Sequence, residues 1–153
     1  MKIMYAMRHG DYNFPKQELR DDGKPKIILS ARRLDRNIEN LDSAISREVT
    51  IYHSPLQRAQ ETAVIVAGEL GRWNPSTIER NELDEERPPA TITLLRELHA
   101  RQTSDIGILV THEPNILLLS KRCQPPNAVT QVSYGSWFRW DHDPQSGLWI
   151  FKE

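Results

Sequence analysis

The chain has 153 residues, of which 27% are charged and 38% hydrophobic, and its formal net charge is −1. This composition is typical of a folded domain with its own hydrophobic core, and the near-neutral charge argues against binding to nucleic acid or to a membrane surface. The single cysteine, Cys123, excludes an intrachain disulfide and a cysteine-based zinc site. Neither a signal peptide nor a membrane span is predicted, so we expect one cytoplasmic domain over residues 1–153.

Apolar segments alternate between strand-like and helix-like spacing along the chain, which predicts an α/β fold. Ser54 followed by Pro55 and Gln57 is typical of a capped helix start, so a helix is predicted from Pro55 to Leu70 with Ser54 as its N-cap. The other elements predicted in the first half are a strand at Lys2–Met7, a polar loop at Asn13–Pro25, an amphipathic helix at Leu29–Arg47 and a strand at Val49–Tyr52.

In the second half, Ile106–Val110 is a nearly continuous apolar run, as expected of a central parallel strand. The remaining predictions are a weak strand at Thr77–Glu79, an acidic loop at Glu82–Pro89, a helix at Ala90–Arg101, a helix from Glu113 to about Lys121, and a hairpin of Ala128–Asp141 with Leu148–Phe151. The order of elements predicts a three-layer α/β/α sandwich whose central sheet is mostly parallel and ends in a C-terminal antiparallel hairpin.

Polar residues follow three of the predicted strands at the point where each strand ends. They are Arg8-His9-Gly10, the segment His53 to Ala63, and Thr111-His112-Glu113-Pro114-Asn115. Open α/β sheets bind ligands at the carboxyl ends of their strands, so these junctions are the candidate functional site. Taken singly, each has a plain structural interpretation: a solvated strand-end histidine at position 9, a surface arginine at 58, and a helix cap at His112.

Together the three junctions resemble the histidine phosphatase superfamily, which includes the phosphoglycerate mutase-like enzymes. In that family an Arg-His-Gly strand end carries the nucleophilic histidine, a Ser-Pro-x-x-Arg-Ala-x-x-Thr-Ala segment supplies a second arginine, and a later Ser/Thr-His supplies a second histidine. Here these are Arg8-His9-Gly10, Ser54 to Ala63, and Thr111-His112. The resemblance spans Met1 to about Ser120, and the short chain is most similar to the SixA-type phosphohistidine phosphatases.

The resemblance implies a metal-independent phosphatase that works without a cofactor. His9 would attack phosphorus through a neutral ring nitrogen, while its other nitrogen donates to a backbone carbonyl, for which Gly10 is the candidate. Arg8 and Arg58 would hold the phosphoryl oxygens as forked donors, and His112, if protonated, would add a third charge-assisted donor. Water would then hydrolyse phospho-His9.

The group that assists departure of the leaving group is less clearly indicated. Relatives that act on alkyl phosphates use a carboxylic acid in a Leu-x-Glu setting, and Leu83-Asp84-Glu85 matches that pattern, with Glu82 and Asp84 as neighbours that would raise the pKa of Glu85. The same residues are also typical of a solvated acidic loop. Phosphohistidine needs less assistance, because its leaving imidazole has a pKa of about 6.5.

The sequence leaves several alternatives open. The predicted activity is dephosphorylation of phosphohistidine in a signalling or phosphotransferase protein, the alternatives being a small-molecule phosphomonoesterase and a non-catalytic phosphate-binding or phosphoprotein-binding protein. Phosphate contacts are predicted for Gly10 and Asn13 as well as for the arginines, although Asn13 also fits an ordinary loop position. A monomer is favoured.

Overall fold

The computed structural model describes residues 1–101 and 104–153, and within them the chain forms a six-stranded sheet flanked by helices. The strand order is β3-β2-β4-β1-β5-β6, in which β1 to β4 run parallel while β5 and β6 are antiparallel to their neighbours. This confirms the mostly parallel sheet with a C-terminal hairpin. The strands are β1 (Ile3–Arg8), β2 (Val49–His53), β3 (Ser76–Glu79), β4 (Ile106–Thr111), β5 (Trp137–Asp143) and β6 (Leu148–Lys152).

Helices cover both faces of the sheet, as the three-layer prediction requires. Side chains alternate across β1, so that Tyr5 and Met7 pack on one face and Met4 and Ala6 on the other. The first face is covered by α1 (Lys24–Glu39) and α2 (Gln57–Glu69), the second by α3 (Pro88–Ala100) and α4 (Glu113–Arg122). Among the described residues, no helix has both the length and the apolar character needed to cross a bilayer.

The predicted boundaries of α1 are wrong at both ends. The helix begins at Lys24, five residues before Leu29, because Pro25 lies in its first turn, where a proline needs no backbone hydrogen bond. It ends at Glu39 rather than at Arg47. The Arg47 guanidinium donates to the carbonyls of Glu39, Leu41 and Ile45 and so organises the following residues as a loop.

Two further predictions are corrected near the carboxyl edge of the sheet. Helix α2 begins at Gln57 with Leu56 in the N-cap position, so Ser54 is not the N-cap. The predicted strand Ala128–Asp141 is extended only from Trp137. Before it, Gly135 has a φ of +73° and donates its N–H to the carbonyls of Arg8 and His9, which turns the preceding segment into a loop over the end of β1.

Strand register brings the three polar junctions together. In the parallel pairing of β1 with β4, Arg8 lies opposite Thr111, and β2 pairs with β4 so that His53 lies opposite Val110. The residues that follow these strand ends therefore meet at one edge of the sheet, as expected.

Gly10 lies where no side chain fits. A Cβ at this position would lie 2.3 Å from Cδ1 of Ile27, a residue that is 1% exposed in the core. We expect Gly10→Ala to lower the free energy of unfolding by about 1–3 kcal/mol through overpacking, measured by urea denaturation. Gly68→Ala is the control, because a Cβ on Gly68 in α2 would have no neighbour within 4 Å. Equal stability of the two variants would contradict the steric argument.

Candidate active site

His9 follows β1 and is buried, with 2% of its surface exposed. Its Nδ1 lies 2.8 Å from the carbonyl oxygen of Gly10, which can only accept, so Nδ1 carries the ring proton. Nε2 is then the basic nitrogen, and it accepts a hydrogen bond of 3.2 Å from Nε of Arg58. Burial lowers the pKa of His9 to about 3, and the charges of Arg58 and Arg8 act in the same direction. The ring is therefore neutral near pH 7, with a fixed tautomer.

The backbone of Gly10 is held from α2. Its N–H donates to the Thr62 hydroxyl at 3.0 Å, and that hydroxyl donates in turn to the carbonyl of Arg58 at 2.7 Å. The Gly10 carbonyl that fixes the His9 tautomer is thus tied to the helix that carries Arg58. The Gly10 N–H donates to Thr62 and its carbonyl accepts from His9, so Gly10 contributes to the site by orienting the His9 ring.

The Arg58 guanidinium is almost completely buried beside His9. Besides His9, it contacts Oε1 of Glu85 at 2.9 Å and the side-chain oxygen of Gln17. Its central carbon lies 4.4 Å from the centroid of the Tyr12 ring, within the range of a cation–π interaction. These contacts hold the guanidinium beside the basic nitrogen of His9.

Arg8 is fixed on the other side of the pocket by a parallel set of contacts. It donates to the carbonyl of Val132 at 2.7 Å, pairs with Glu113 at 3.4 Å, and lies 4.0 Å from the centroid of the Tyr134 ring. Its buried Nε has no hydrogen-bond partner among residues 1–101 and 104–153. The guanidinium is thus held in place while one of its donors stays free.

His112 packs against His9, with its ring centroid 4.9 Å from that of His9. Its Nε2 is 2.8 Å from the Ser54 hydroxyl, which can donate to it and leave the proton on Nδ1. Burial, followed by the charge of Arg58, lowers the pKa of His112 to about 4. His112 is therefore neutral near pH 7, whereas the sequence analysis considered it as a protonated donor. Its buried Nδ1 lies 3.8 Å from Glu85 and makes no hydrogen bond to any residue that the structure describes.

The pocket thus presents unsatisfied donors beside a basic nitrogen. Buried polar groups normally have partners, and within the described part of the chain Nε of Arg8 and Nδ1 of His112 have none, so both can donate to an added acceptor. An oxyanion bound beside Nε2 of His9 would lie within the charge field of Arg58 and Arg8. The arrangement suits a phosphoryl group, whose oxygens accept several charge-assisted hydrogen bonds.

Glu85 lies at the edge of this pocket, and the segment before it is anchored by buried side chains. Three consecutive carbonyls each accept a hydrogen bond from a buried side chain: Glu82 from Thr91 at 3.0 Å, Leu83 from Thr111 at 2.7 Å, and Asp84 from Asn115 at 3.0 Å. These donors belong to α3, β4 and α4, so the placement of the segment before Glu85 is built into the fold. The Glu85 side chain itself is exposed, and its role as a proton donor stays a prediction.

The two acidic neighbours of Glu85 have other partners. Glu82 pairs with Arg80 at 2.8 Å, and this hydrogen bond lowers the pKa of Glu82. The Asp84 carboxylate accepts from the backbone N–H of Glu86 at 3.2 Å. Arg80 therefore compensates the Glu82 charge, and the effect of the acidic neighbours on Glu85 stays a prediction.

Asn13 is exposed, and its backbone, not its side chain, makes the contacts that shape the loop after β1. Gln17 reaches Arg58 from the same loop, and the phosphate contact of Asn13 stays a prediction. The sequence reasoning did not find several site residues. Ser54 and Thr62 lie inside the diagnostic Ser54 to Ala63 segment, and Glu113 lies in the third junction, so these could have been found there. Tyr12, Gln17 and Tyr134 carry no local signal.

Comparison with known proteins agrees with this geometry. Residues 4–90 match the histidine phosphatase superfamily (branch 1), whereas no curated protein matches the sequence. Among solved structures, the protein histidine phosphatase SixA in complex with tungstate is 21% identical with a TM-score of 0.77, covering 99% of this chain and 94% of that chain. The mycobacterial glucosyl-3-phosphoglycerate phosphatase is 18% identical with a TM-score of 0.72, covering 99% and 97%.

Phosphoglycerate mutase from Plasmodium falciparum is also similar, at 18% identity and a TM-score of 0.66 over 99% of this chain and 89% of that chain. At these identities the structural likeness shows a common fold. The family match, in contrast, covers more than half of the chain and includes Arg8, His9 and Arg58. The chain therefore belongs to branch 1 of the histidine phosphatase superfamily and is a phosphatase.

Proposed function

We propose that the chain removes phosphoryl groups from phosphohistidine in a signalling or phosphotransferase protein, through an intermediate on Nε2 of His9. The observation that carries this proposal is the neutral His9 ring, whose proton is fixed on Nδ1 by Gly10 and whose Nε2 faces Arg58. A neutral imidazole beside fixed positive donors is what nucleophilic attack on a phosphoryl group requires.

The proposed reaction has two steps. Nε2 of His9 attacks phosphorus, the bond from phosphorus to the substrate nitrogen breaks, and the leaving imidazole is protonated. The positive charge that develops on the His9 ring is stabilised by the Gly10 carbonyl, which accepts from Nδ1 throughout. Arg8, Arg58 and the Nδ1 proton of His112 hold the phosphoryl oxygens. A water molecule then attacks phosphorus, which releases inorganic phosphate and restores neutral His9.

The state of Glu85 supports phosphohistidine as the substrate. Its carboxylate forms an ion pair with Arg58 at 2.9 Å, whereas a general acid has to carry a proton. A leaving group with a pKa of about 6.5, such as imidazole, departs without a strong acid. Phosphohistidine therefore suits a pocket in which the Glu85 carboxylate accepts from Arg58.

A second candidate is a phosphomonoesterase for small molecules, which the placement of Glu85 favours. The carboxylate lies at the pocket edge, 3.8 Å from Nδ1 of His112, on a segment that three buried side chains hold in place. Bound phosphate would compete for Arg58, and Glu85 could then carry a proton to the departing alcohol. The substrates of the SixA and glucosyl-3-phosphoglycerate phosphatase structures represent these two chemistries.

A single domain over residues 1–153, a monomeric state and a cytoplasmic location stay predictions. The partner is a phosphorylated protein under the first candidate and a small phosphorylated molecule under the second.

Trapping of the intermediate tests the nucleophile. After brief incubation with a labelled phosphodonor and rapid quenching, the chain should carry a label that is labile to acid and stable to alkali, as expected for phosphohistidine. The label should be absent in His9→Ala and present in His142→Ala, because His142 lies on β5, away from the pocket. A label that persists in His9→Ala would contradict the assignment, and a chain that never acquires label would favour non-catalytic binding.

The substrate class is tested at Glu85. In Glu85→Gln we expect hydrolysis of phosphohistidine to stay within about threefold of the unsubstituted chain, whereas loss of a working general acid costs about 10²–10⁴-fold on an alkyl phosphate. Glu86→Gln is the matched control, because Glu86 is exposed and next in sequence. Rates with phosphohistidine and glycerol phosphate are compared. A loss of 100-fold on phosphohistidine itself would contradict the proposal.

The lowered pKa of His9 predicts loss of stability in acid. Between pH 6.5 and about 3 the unfolded chain binds a proton at this residue that the folded chain does not, so stability falls as the pH falls through this range. From pH 6.5 to 4.5 we expect His9→Gln to lose less unfolding free energy than the unsubstituted chain, by on the order of 2 kcal/mol. Urea denaturation at both pH values measures this, and equal losses would show that His9 is not buried in its neutral form.

A further inference from the structure

Two tyrosines that the proposed reaction does not use flank the nucleophile. Tyr12 stacks on Arg58 and Tyr134 stacks on Arg8, at 4.4 and 4.0 Å from ring centroid to guanidinium carbon. Their ring centroids lie 5.5 and 5.8 Å from that of His9 and 6.5 Å from each other. The pocket is therefore bordered by two neighbouring arginine–tyrosine pairs, and both tyrosine rings contact the His9 ring.

Both tyrosines are held by the backbone that carries the nucleophile. Gly135 donates its N–H to the carbonyls of Arg8 and His9 at 3.1 and 3.2 Å, which fixes the position of the preceding Tyr134. The Tyr12 N–H donates to the Asp11 carboxylate at 2.8 Å, and Tyr12 forms a β-bridge with Leu19. The two rings are thus tied to the phosphoryl site rather than carried on independent loops.

The two tyrosine rings are inclined to each other and to His9. The Tyr12 ring is inclined at 74° to His9, the Tyr134 ring at 46°, and the two tyrosine rings at 81° to each other. A guanidinium carbon lies over each ring, and both residues are only partly buried. With 6.5 Å between their centroids the two rings contact each other and form a corner. A planar group packed into that corner can meet one ring face-on and the other edge-on, the two arrangements that aromatic pairs prefer.

In-line transfer places the leaving group on the far side of phosphorus from Nε2 of His9. The tyrosines lie within one phosphoryl group's reach of the His9 ring and next to the arginines that would hold the phosphoryl oxygens. We propose that Tyr12 and Tyr134 form a leaving-group subsite that selects a planar ring bonded directly to the transferred phosphoryl. The identification of that ring as the imidazole of phosphohistidine rests on the proposed function.

Binding of two matched phosphonates tests the subsite without catalysis. Phenylphosphonate and cyclohexylphosphonate differ in the planarity of a ring attached to phosphorus. We expect calorimetry to show phenylphosphonate binding about three- to tenfold more tightly, the size of one aromatic pair. The preference should shrink to less than twofold in Tyr12→Leu with Tyr134→Leu and should persist in Tyr12→Phe with Tyr134→Phe, which keep the rings.

Because each tyrosine also supports an arginine, methylphosphonate is measured with every variant as a reference without a ring. A loss of affinity common to all three ligands reports displaced arginines and cancels in the phenyl-to-cyclohexyl ratio. A ratio near one in the unsubstituted chain would overturn the subsite, as would a ratio that the leucine variants leave unchanged.

Hydrolysis of phosphohistidine separates this inference from the proposed function. If the ratio behaves as expected and the chain hydrolyses phosphohistidine, the leucine variants should lose at least threefold more kcat/KM on phosphohistidine than on glycerol phosphate. If the phenyl-to-cyclohexyl affinity ratio behaves as expected but phosphohistidine is not hydrolysed above the His9→Ala background, the subsite is confirmed and the proposed substrate is wrong. If phosphohistidine is hydrolysed but the ratio is near one, the substrate stands and the subsite is wrong.

Discussion

The parallel pairing of β1 with β4 is the constraint on which the pocket depends. Arg8 lies opposite Thr111, and the N–H of His9 donates to the Thr111 carbonyl at 3.0 Å, so strands β1 and β4 end side by side. His9 and His112 are the next residues, and their rings are in contact because of this register. If the register between β1 and β4 shifted by one residue, His9 and His112 would point to opposite faces of the sheet. The same Thr111 holds the Leu83 carbonyl through its hydroxyl and so places the segment before Glu85.

Burial then determines the electrostatics of the site. Two guanidinium groups stand beside two neutral histidines, an arrangement that needs compensating negative charge when no substrate is bound. Glu85 supplies it to Arg58 and Glu113 supplies it to Arg8, from side chains that are 44% and 43% exposed. A phosphoryl group can thus replace carboxylates that are already partly hydrated, while the buried ends of the arginines stay fixed. Glu113 and Glu85 therefore offset the free-energy cost of burying the charges of Arg8 and Arg58 before substrate binds.

Most of the architecture could be predicted from the sequence, because the central strands are continuous apolar runs and His9, Arg58 and His112 lie in motifs at strand ends. The errors have a common physical origin in long-range contacts. Ser54 contacts His112, which is 58 residues away. The early end of α1 is a local exception, because the Arg47 guanidinium binds the carbonyls of Glu39, Leu41 and Ile45, within eight residues of it. Tyr134 reaches Arg8 only because Gly135 turns the chain back over β1. No local periodicity records such contacts.

The close approach of Gly10 to Ile27 has a consequence for the boundary between core and site. Ile27 lies on α1 and belongs to the hydrophobic cluster beneath the sheet, yet its terminal carbon occupies the space that a side chain at Gly10 would need. The Gly10 carbonyl next to this contact accepts the hydrogen bond from Nδ1 of His9. A change in the size of Ile27 therefore bears on the position of the His9 ring through a single intervening glycine. The packing of the first helix and the geometry of the candidate site share this one contact.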